Sequence, residues 1–159
     1  MINIIDIEAS GLHFDSYPIE VAVLIAGNIK SWIIKPEPSW QHWSKVAEGM
    51  HGLSRDTLES EGVSAAQVIK ELGAFIKNSN DVIYSDAVYW DADWIDTLYH
   101  AVKETRRFDI KSIYELLDGD KGAKFDEVKA NLAASGKYRH HRAGEDVKII
   151  AEAFEISSR

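Results

Sequence analysis

Carboxylates stand in this sequence where a packed core has least use for them. Asp6 and Glu8 interrupt the apolar run from Met1 to Glu8, in which Ile2, Ile4, Ile5 and Ile7 favour a strand. Residues two apart on a strand share a face, so both acids point the same way. In a central strand they would lie at its carboxyl end, the edge where α/β sheets bind ligands. Two like charges held that close are costly unless a cation neutralises them or one keeps a proton. A strand end fraying into solvent, with both acids hydrated, is the competing reading. A second group lies in His140-His141-Arg142-Ala143-Gly144-Glu145-Asp146. The last helix begins near Ala143 or Gly144, which puts Asp146 in its first turns and His141 in the loop before it, able to swing over a ligand that the aspartate holds. Taken singly, His141 also reads as a surface histidine, and Asp146 as a favourable anion near a helix N-terminus. The third group is the stretch from Ser85 to Trp94, where Asp86, Asp91 and Asp93 follow a strand and open a helix. It reaches the same edge if that strand runs parallel to the first; helix N-terminal acids among packed aromatics account for it equally well.

The elements that must position these groups follow from pattern. Met1 to Glu8, Ile19 to Ala26 and Ile29 to Lys35 read as three strands. Gly27-Asn28 makes a tight connection, and Pro36-Glu37-Pro38 ends the third strand. Pro36 to Ser60 is irregular, marked by Trp40, Trp43, His51 and Gly52. A capping box at Ser64 to Gln67 starts a helix that buries Ala65, Val68, Ile69, Leu72, Phe75 and Ile76. Asp81 to Ser85 is a fourth strand, 92–104 a helix and Phe108 to Lys111 a fifth strand; helices follow at 112–117, 124–134 and 144–156. The order βββαβαβααα implies an α/β fold, a central mixed five-stranded sheet flanked by helices.

The chain has 159 residues, enough for one sizeable core, and a single domain over 1–159 is expected. Its 45% apolar and 28% charged residues are ordinary for a globular domain. With no cysteine there is no disulfide framework, thiolate zinc site or cysteine nucleophile. No apolar run is long enough to span a membrane, and Met1-Ile2-Asn3 carries no basic leader, so a cytoplasmic location is expected. The formal charge is −8, and residues 1–100 hold 15 of the 26 acids but only six of the 18 basic residues. Such a chain is no obvious binder of polyanions, yet clustered carboxylates suit hard divalent cations.

Together these pieces resemble the DEDDh branch of the DnaQ-like 3′→5′ exonuclease superfamily. IIDIEASG matches that family's first motif, and His141 to Asp146 (HRAGED) is similar to its third, a histidine five residues before an aspartate. Met50 to Gly62 (MHGLSRDTLESEG) resembles a segment that follows the third strand there, ending in a short helix. The second motif departs from the pattern. Ser85-Asp86 stands where the family has His-Asn, and Asp86 to Asp91 is one residue longer than the usual spacing. Aligning WDADWI with the family's aromatic-Asp-x-x-aromatic-apolar pattern selects Asp91, with Asp86 and Asp93 as rivals. Spacing to Asp146 selects His141 over His140. The missing Asn bears on a substrate contact, not on the metal site.

The resemblance implies a ribonuclease H-like three-layer fold and a 3′→5′ exonuclease acting on single-stranded nucleic acid, RNA or DNA, with a free 3′ end. It implies Asp6, Glu8, Asp91 and Asp146 as ligands of two divalent cations, Mg²⁺ or Mn²⁺, with His141 as general base. It further implies that Gly11, Leu12 and His13 meet the terminal nucleotides, with Leu12 as an apolar wedge. Small members often work as homodimers, so the resemblance also allows a homodimer here. Two metals can help deprotonate a water, neutralise the phosphorane-like state and stabilise the leaving 3′ oxygen, which hydrolysis of a phosphodiester requires. Their positive charge answers the objection from the acidic composition. Among the basic residues, Lys137, Arg139 and Arg142 flank the third motif and, with Arg106 and Arg107, either guide a backbone or form a solvated face. Trp94 reads as core, whereas Trp40 and Trp43 either line the cleft or pack over it. The alternative reading is a catalytically inactive nuclease fold that serves as a nucleic-acid or protein binding module.

Overall fold

Ile4, Ile5 and Ile7 are buried from both sides, so the first strand is central. The computed structural model describes residues 2–76 and 82–159. In it β1 (Ile4–Ala9) pairs antiparallel with β2 (Pro18–Ile25), and β2 with β3 (Asn28–Ile33). On its other side β1 pairs in parallel with β4 (Val82–Ser85), and β4 with β5 (Asp109–Ser112), giving the order β3-β2-β1-β4-β5. This is the expected mixed five-stranded sheet. The carboxyl ends of β1 and β4 lie side by side, which brings the first and second acidic groups to one edge.

Helices cover both faces. Ile5, Ile7, Val21 and Val23 share a core with α3 (Ala65–Phe75) and α4 (Val88–Ala101) through Val68, Leu72, Ile95 and Leu98. Ile4, Ala22 and Leu24 share another with α5 (Lys121–Ala134) and α6 (Ala143–Ser158) through Phe125, Val147, Ile150 and Ala153. Each fully buried aliphatic side chain contributes about 1.5–3 kcal/mol. These two cores therefore hold α4 and α6 far more firmly than helix propensity does. The alternation of β1 sends Asp6 and Glu8 to the face of Ile4, towards α6.

Several boundaries differ from the pattern reading. Pro36 to Ser60 is not irregular throughout. It contains α1 (Lys45–His51) and α2 (Arg55–Glu61), whose caps Ser44 and Ser54 accept the N–H groups of Ala47 and Thr57. Seven residues are two turns, too few for a 3.6-residue period to stand out. The helix expected over 92–104 runs over 88–101; Ala87 precedes it with no capping side chain, so nothing local marks its start. The expected helix at 112–117 is a 3₁₀ turn, Ile113–Leu116, and the helix expected from 124 begins at Lys121. The hairpin turn is Ala26-Gly27, with φ of 49° and 83°, a type I′ turn; Asn28 is already paired with Ile25. The third strand ends at Ile33, and Ile34 instead bridges Val63 in parallel. Asp81, expected to start the fourth strand, lies outside the described residues. Among the described residues no helix is long and apolar enough to cross a membrane.

Gly62 makes that bridge possible, because a Cβ there would lie 2.2 Å from Leu58 O and 2.5 Å from Lys35 N, both backbone atoms. Gly62→Ala is expected to cost about 3 kcal/mol through overpacking, read as a lowered urea midpoint. An unchanged midpoint would mean that the junction between α2 and the end of β3 yields freely.

Candidate metal centre

Asp6 and Glu8 reach the carboxyl edge from β1, Asp91 from the first turn of α4 and Asp146 from the first turn of α6. The structure brings all four together. Carboxylate oxygens of Asp6, Glu8 and Asp146 lie within 4.8 Å of one another, and so do those of Asp6, Asp86 and Asp91. Asp6 thus belongs to two acidic groups at once. Asp86, the rival from the second motif, is part of this geometry, whereas Asp93 is exposed and in neither group.

The electrostatics are strained in one direction. Burial pushes the Asp6 carboxyl well above the usual carboxylate range, and the charges of Asp91, Glu8, Asp146 and Asp86 push it further. Glu8 is pushed up to about 8 by burial and then by the neighbouring Asp146 carboxylate. Asp91 also rises to about 8 through burial, although the Ser85 hydroxyl donates to its Oδ2 at 2.6 Å and the Ile7 backbone favours its charged form. Asp6 Oδ2 is buried without a hydrogen-bond partner. Buried polar atoms are almost always paired, so an orphan oxygen among acids asks for a bound cation or a proton. An all-oxygen set of this kind fits Mg²⁺ or Mn²⁺.

The loop before α6 brings its two histidines to Asp146 in different ways. His140 Nδ1 lies 2.9 Å from Asp146 Oδ1. His141 meets the same carboxylate through its backbone N–H, at 3.1 and 3.3 Å, and holds the left-handed φ of 63° that this contact requires. Its ring lies against that of His140, with centroids 3.8 Å apart. Burial first, then His140, lowers the His141 pKa below the ordinary value, so its imidazole is neutral at neutral pH. Both rings and Asp146 offer ligand atoms within 4.8 Å of one another.

On the rim, Gly11 is buried, Leu12 is 73% exposed and His13 stacks on His42 with centroids 4.9 Å apart. A Cβ on Gly11 would lie 2.6 Å from His42 Cε1, so only glycine lets the loop close against that ring. Ser10 ties it further, lying 3.2 Å from His42 Nδ1 and accepting the Ser44 N–H at its carbonyl. Of the aromatics, Trp94 is core as expected; Trp40 stacks on buried Tyr17, and Trp43 donates to Glu48. The basic residues are largely spoken for, since Lys137 pairs with Glu152, Arg106 with Asp96 and Arg142 with Glu20.

Sequence reasoning missed two residues here. Glu20, directly across from Glu8 in the sheet, is buried and clamped by Arg142; an acid inside the run IEVAVLI was a signal for it. Lys129 of α5 reaches Asp86 at 2.7 Å, and a helical lysine carries no local signal at all.

No protein-family model matches the sequence, and no curated protein matches it. Solved structures do match. A 3′-exonuclease that recognises the 3′ end of a histone mRNA stem-loop aligns with a TM-score of 0.73 at 16% identity, over 99% of this chain and 63% of that one. The zinc-bound form of an Escherichia coli exonuclease I complex with single-stranded DNA aligns at 0.72 and 15% identity, over 99% of this chain and 40% of that one. A full-length 3′-exonuclease aligns at 0.70 and 17% identity, over 96% and 78%. The chain therefore spans less than two thirds of the first two proteins. At these identities the likeness is one of fold: this chain has the ribonuclease H-like fold that these 3′-exonuclease structures share.

Proposed function

We propose that residues 1–159 form one exonuclease domain that removes nucleotides from the 3′ end of single-stranded RNA or DNA with the help of two divalent cations. The observation that carries this reading is the position of Asp6, shared between two acidic groups with its buried Oδ2 unpartnered, at the edge of a 3′-exonuclease fold. Asp6, Glu8, Asp91 and Asp146 would hold the cations. When bound, the two metals supply charge neutralisation at the scissile phosphate and favour ionisation of the attacking water.

The chain's own residues do the rest. His141, neutral and half-buried beside Asp146, takes the proton from the attacking water at an imidazole nitrogen. Its backbone contact to Asp146 holds the ring near the acids. Ser85 fixes the Asp91 carboxylate in one orientation. Leu12 projects from a loop that Ser10, Gly11 and His42 hold rigid, and it wedges between the last bases, with Gly11 leaving space for the backbone and His13 lining the rim.

The direct test is a time course on 5′-labelled single-stranded RNA and DNA with Mg²⁺, Mn²⁺ or EDTA. A metal-dependent ladder shortening from the 3′ end is expected, and the better substrate names the preferred sugar. Asp6→Ala should abolish it, and His141→Ala should slow it by roughly 10²–10⁴-fold, with His140→Ala slowing it less. Folded protein that binds Mn²⁺ but cleaves neither strand would favour the binding-module reading.

The raised carboxyls predict a second behaviour. Glu8 ionises near 4.5 when unfolded and near 8 when folded, so between those values the folded protein holds a proton that the unfolded chain has lost. Stability from this group is complete below about pH 4 and is lost as pH rises to about 8. Metal-free protein should therefore melt at progressively lower temperature over that range. At pH 8, Mn²⁺ should restore the melting temperature, and Glu8→Gln should raise metal-free stability by on the order of 2 kcal/mol. A Glu8→Gln melt that tracks wild type at every pH would exclude this account.

A further inference from the structure

Six carboxylates crowd the carboxyl edge of the sheet: Asp6, Glu8, Glu20, Asp86, Asp91 and Asp146. The chain answers two of them with fixed cations of its own. Arg142 clamps Glu20 through Nε at 2.7 Å and a terminal nitrogen at 3.3 Å. Lys129 Nζ lies 2.7 Å from Asp86 Oδ2, and the same ammonium sits over the buried ring of Phe125, 5.5 Å from its centroid. The pair is partly withdrawn from water, with side chains 31% and 12% exposed, so the ammonium is held in place.

The other four receive no such cation. Asp91 has the Ser85 hydroxyl, Asp146 the His140 ring and the His141 N–H, and Asp6 Oδ2 nothing. Ionised together, these four carboxylates would match the charge of two divalent cations. Yet Asp86 has an oxygen within 4.8 Å of ligand atoms on both Asp6 and Asp91, near enough to join them around an ion if nothing else held it.

We propose that Lys129 is a positioning residue for the metal centre, its ammonium keeping Asp86 as a paired neighbour so that Asp91, and not Asp86, completes the ligand set with Asp6. Lys129 sets both the number and the identity of the free acids. Without it a fifth carboxylate is released, the site would draw cations more strongly, and Asp86 would compete with Asp91 for a cation that Asp6 holds. The inference rests on the exonuclease reading but is read out by metal binding.

The experiment is Mn²⁺ titration by calorimetry, with a thermal melt of each variant to establish folding and single-turnover cleavage alongside. Wild type should bind two ions. Lys129→Met should bind the first ion roughly tenfold more tightly and cleave at least tenfold more slowly, as expected for one unit of charge released near the site. Adding Asp86→Asn to that variant should return both values to within about threefold of wild type, and Lys129→Arg should stay there throughout. Asp86→Asn alone should still bind two ions, and Asp91→Asn should lose one. Superimposable isotherms for wild type and Lys129→Met, or loss of an ion in Asp86→Asn, overturn the inference and leave the exonuclease reading standing. Wild-type protein that is folded and binds no Mn²⁺ overturns both.

Discussion

The Asp6 carboxyl is held among other acids at a buried edge, and most of what surrounds it exists to make that arrangement tolerable. Repulsion between carboxylates a few ångströms apart grows as water is excluded, because the screening that makes surface charges cheap is lost. The protein meets this repulsion in three ways. It lends protons, as the raised Glu8 and Asp91 carboxyls indicate. It supplies donors at fixed points, from Ser85 and the backbone of Ile7 and His141. It spends permanent cations only at the margins, Arg142 on Glu20 and Lys129 on Asp86.

That economy depends on the two hydrophobic cores. The centre of the site can stay electrostatically unfavourable because its acids are carried on elements anchored elsewhere. β1 is buried on both faces, α4 is held through Ile95 and Leu98, and α6 through Val147 and Ile150. Each helix presents its N-terminal turn to the sheet edge, where its exposed N–H groups favour an anion. Asp91 and Asp146 both sit in such a first turn. Their repulsion is opposed by apolar burial on the rest of the same helix, several residues away.

The loop after β1 shows the same separation of a fixed support from an exposed tip. Leu12 and Phe14 are 73% and 87% exposed, an unusual position for such side chains. The loop that carries them is nonetheless tightly fixed. Ser10 and Ser16 are buried against His42, His13 stacks on the same ring, and Gly11 leaves no room for a side chain between them. An apolar tip on a rigid loop keeps its shape while remaining available.

Much of this was legible in the sequence, and the boundary has a physical cause. The period of two along β1 determines that Asp6 and Glu8 share a face, whatever packs beside them. The apolar stripes of α3 and α6, and the position of Asp146 at the start of a helix, are likewise local consequences of backbone geometry. Where a helix was too short to show its period, as in α1 and α2, or had no capping side chain, as at Ala87, the local signal failed. Only the tertiary structure decided which acids keep their charge. Lys129 lies 43 residues from Asp86, and Arg142 lies 122 residues from Glu20. Whether a carboxylate owns a cation, shares a proton or has an oxygen with no partner depends on distances between elements remote in the chain, and no local pattern carries those distances.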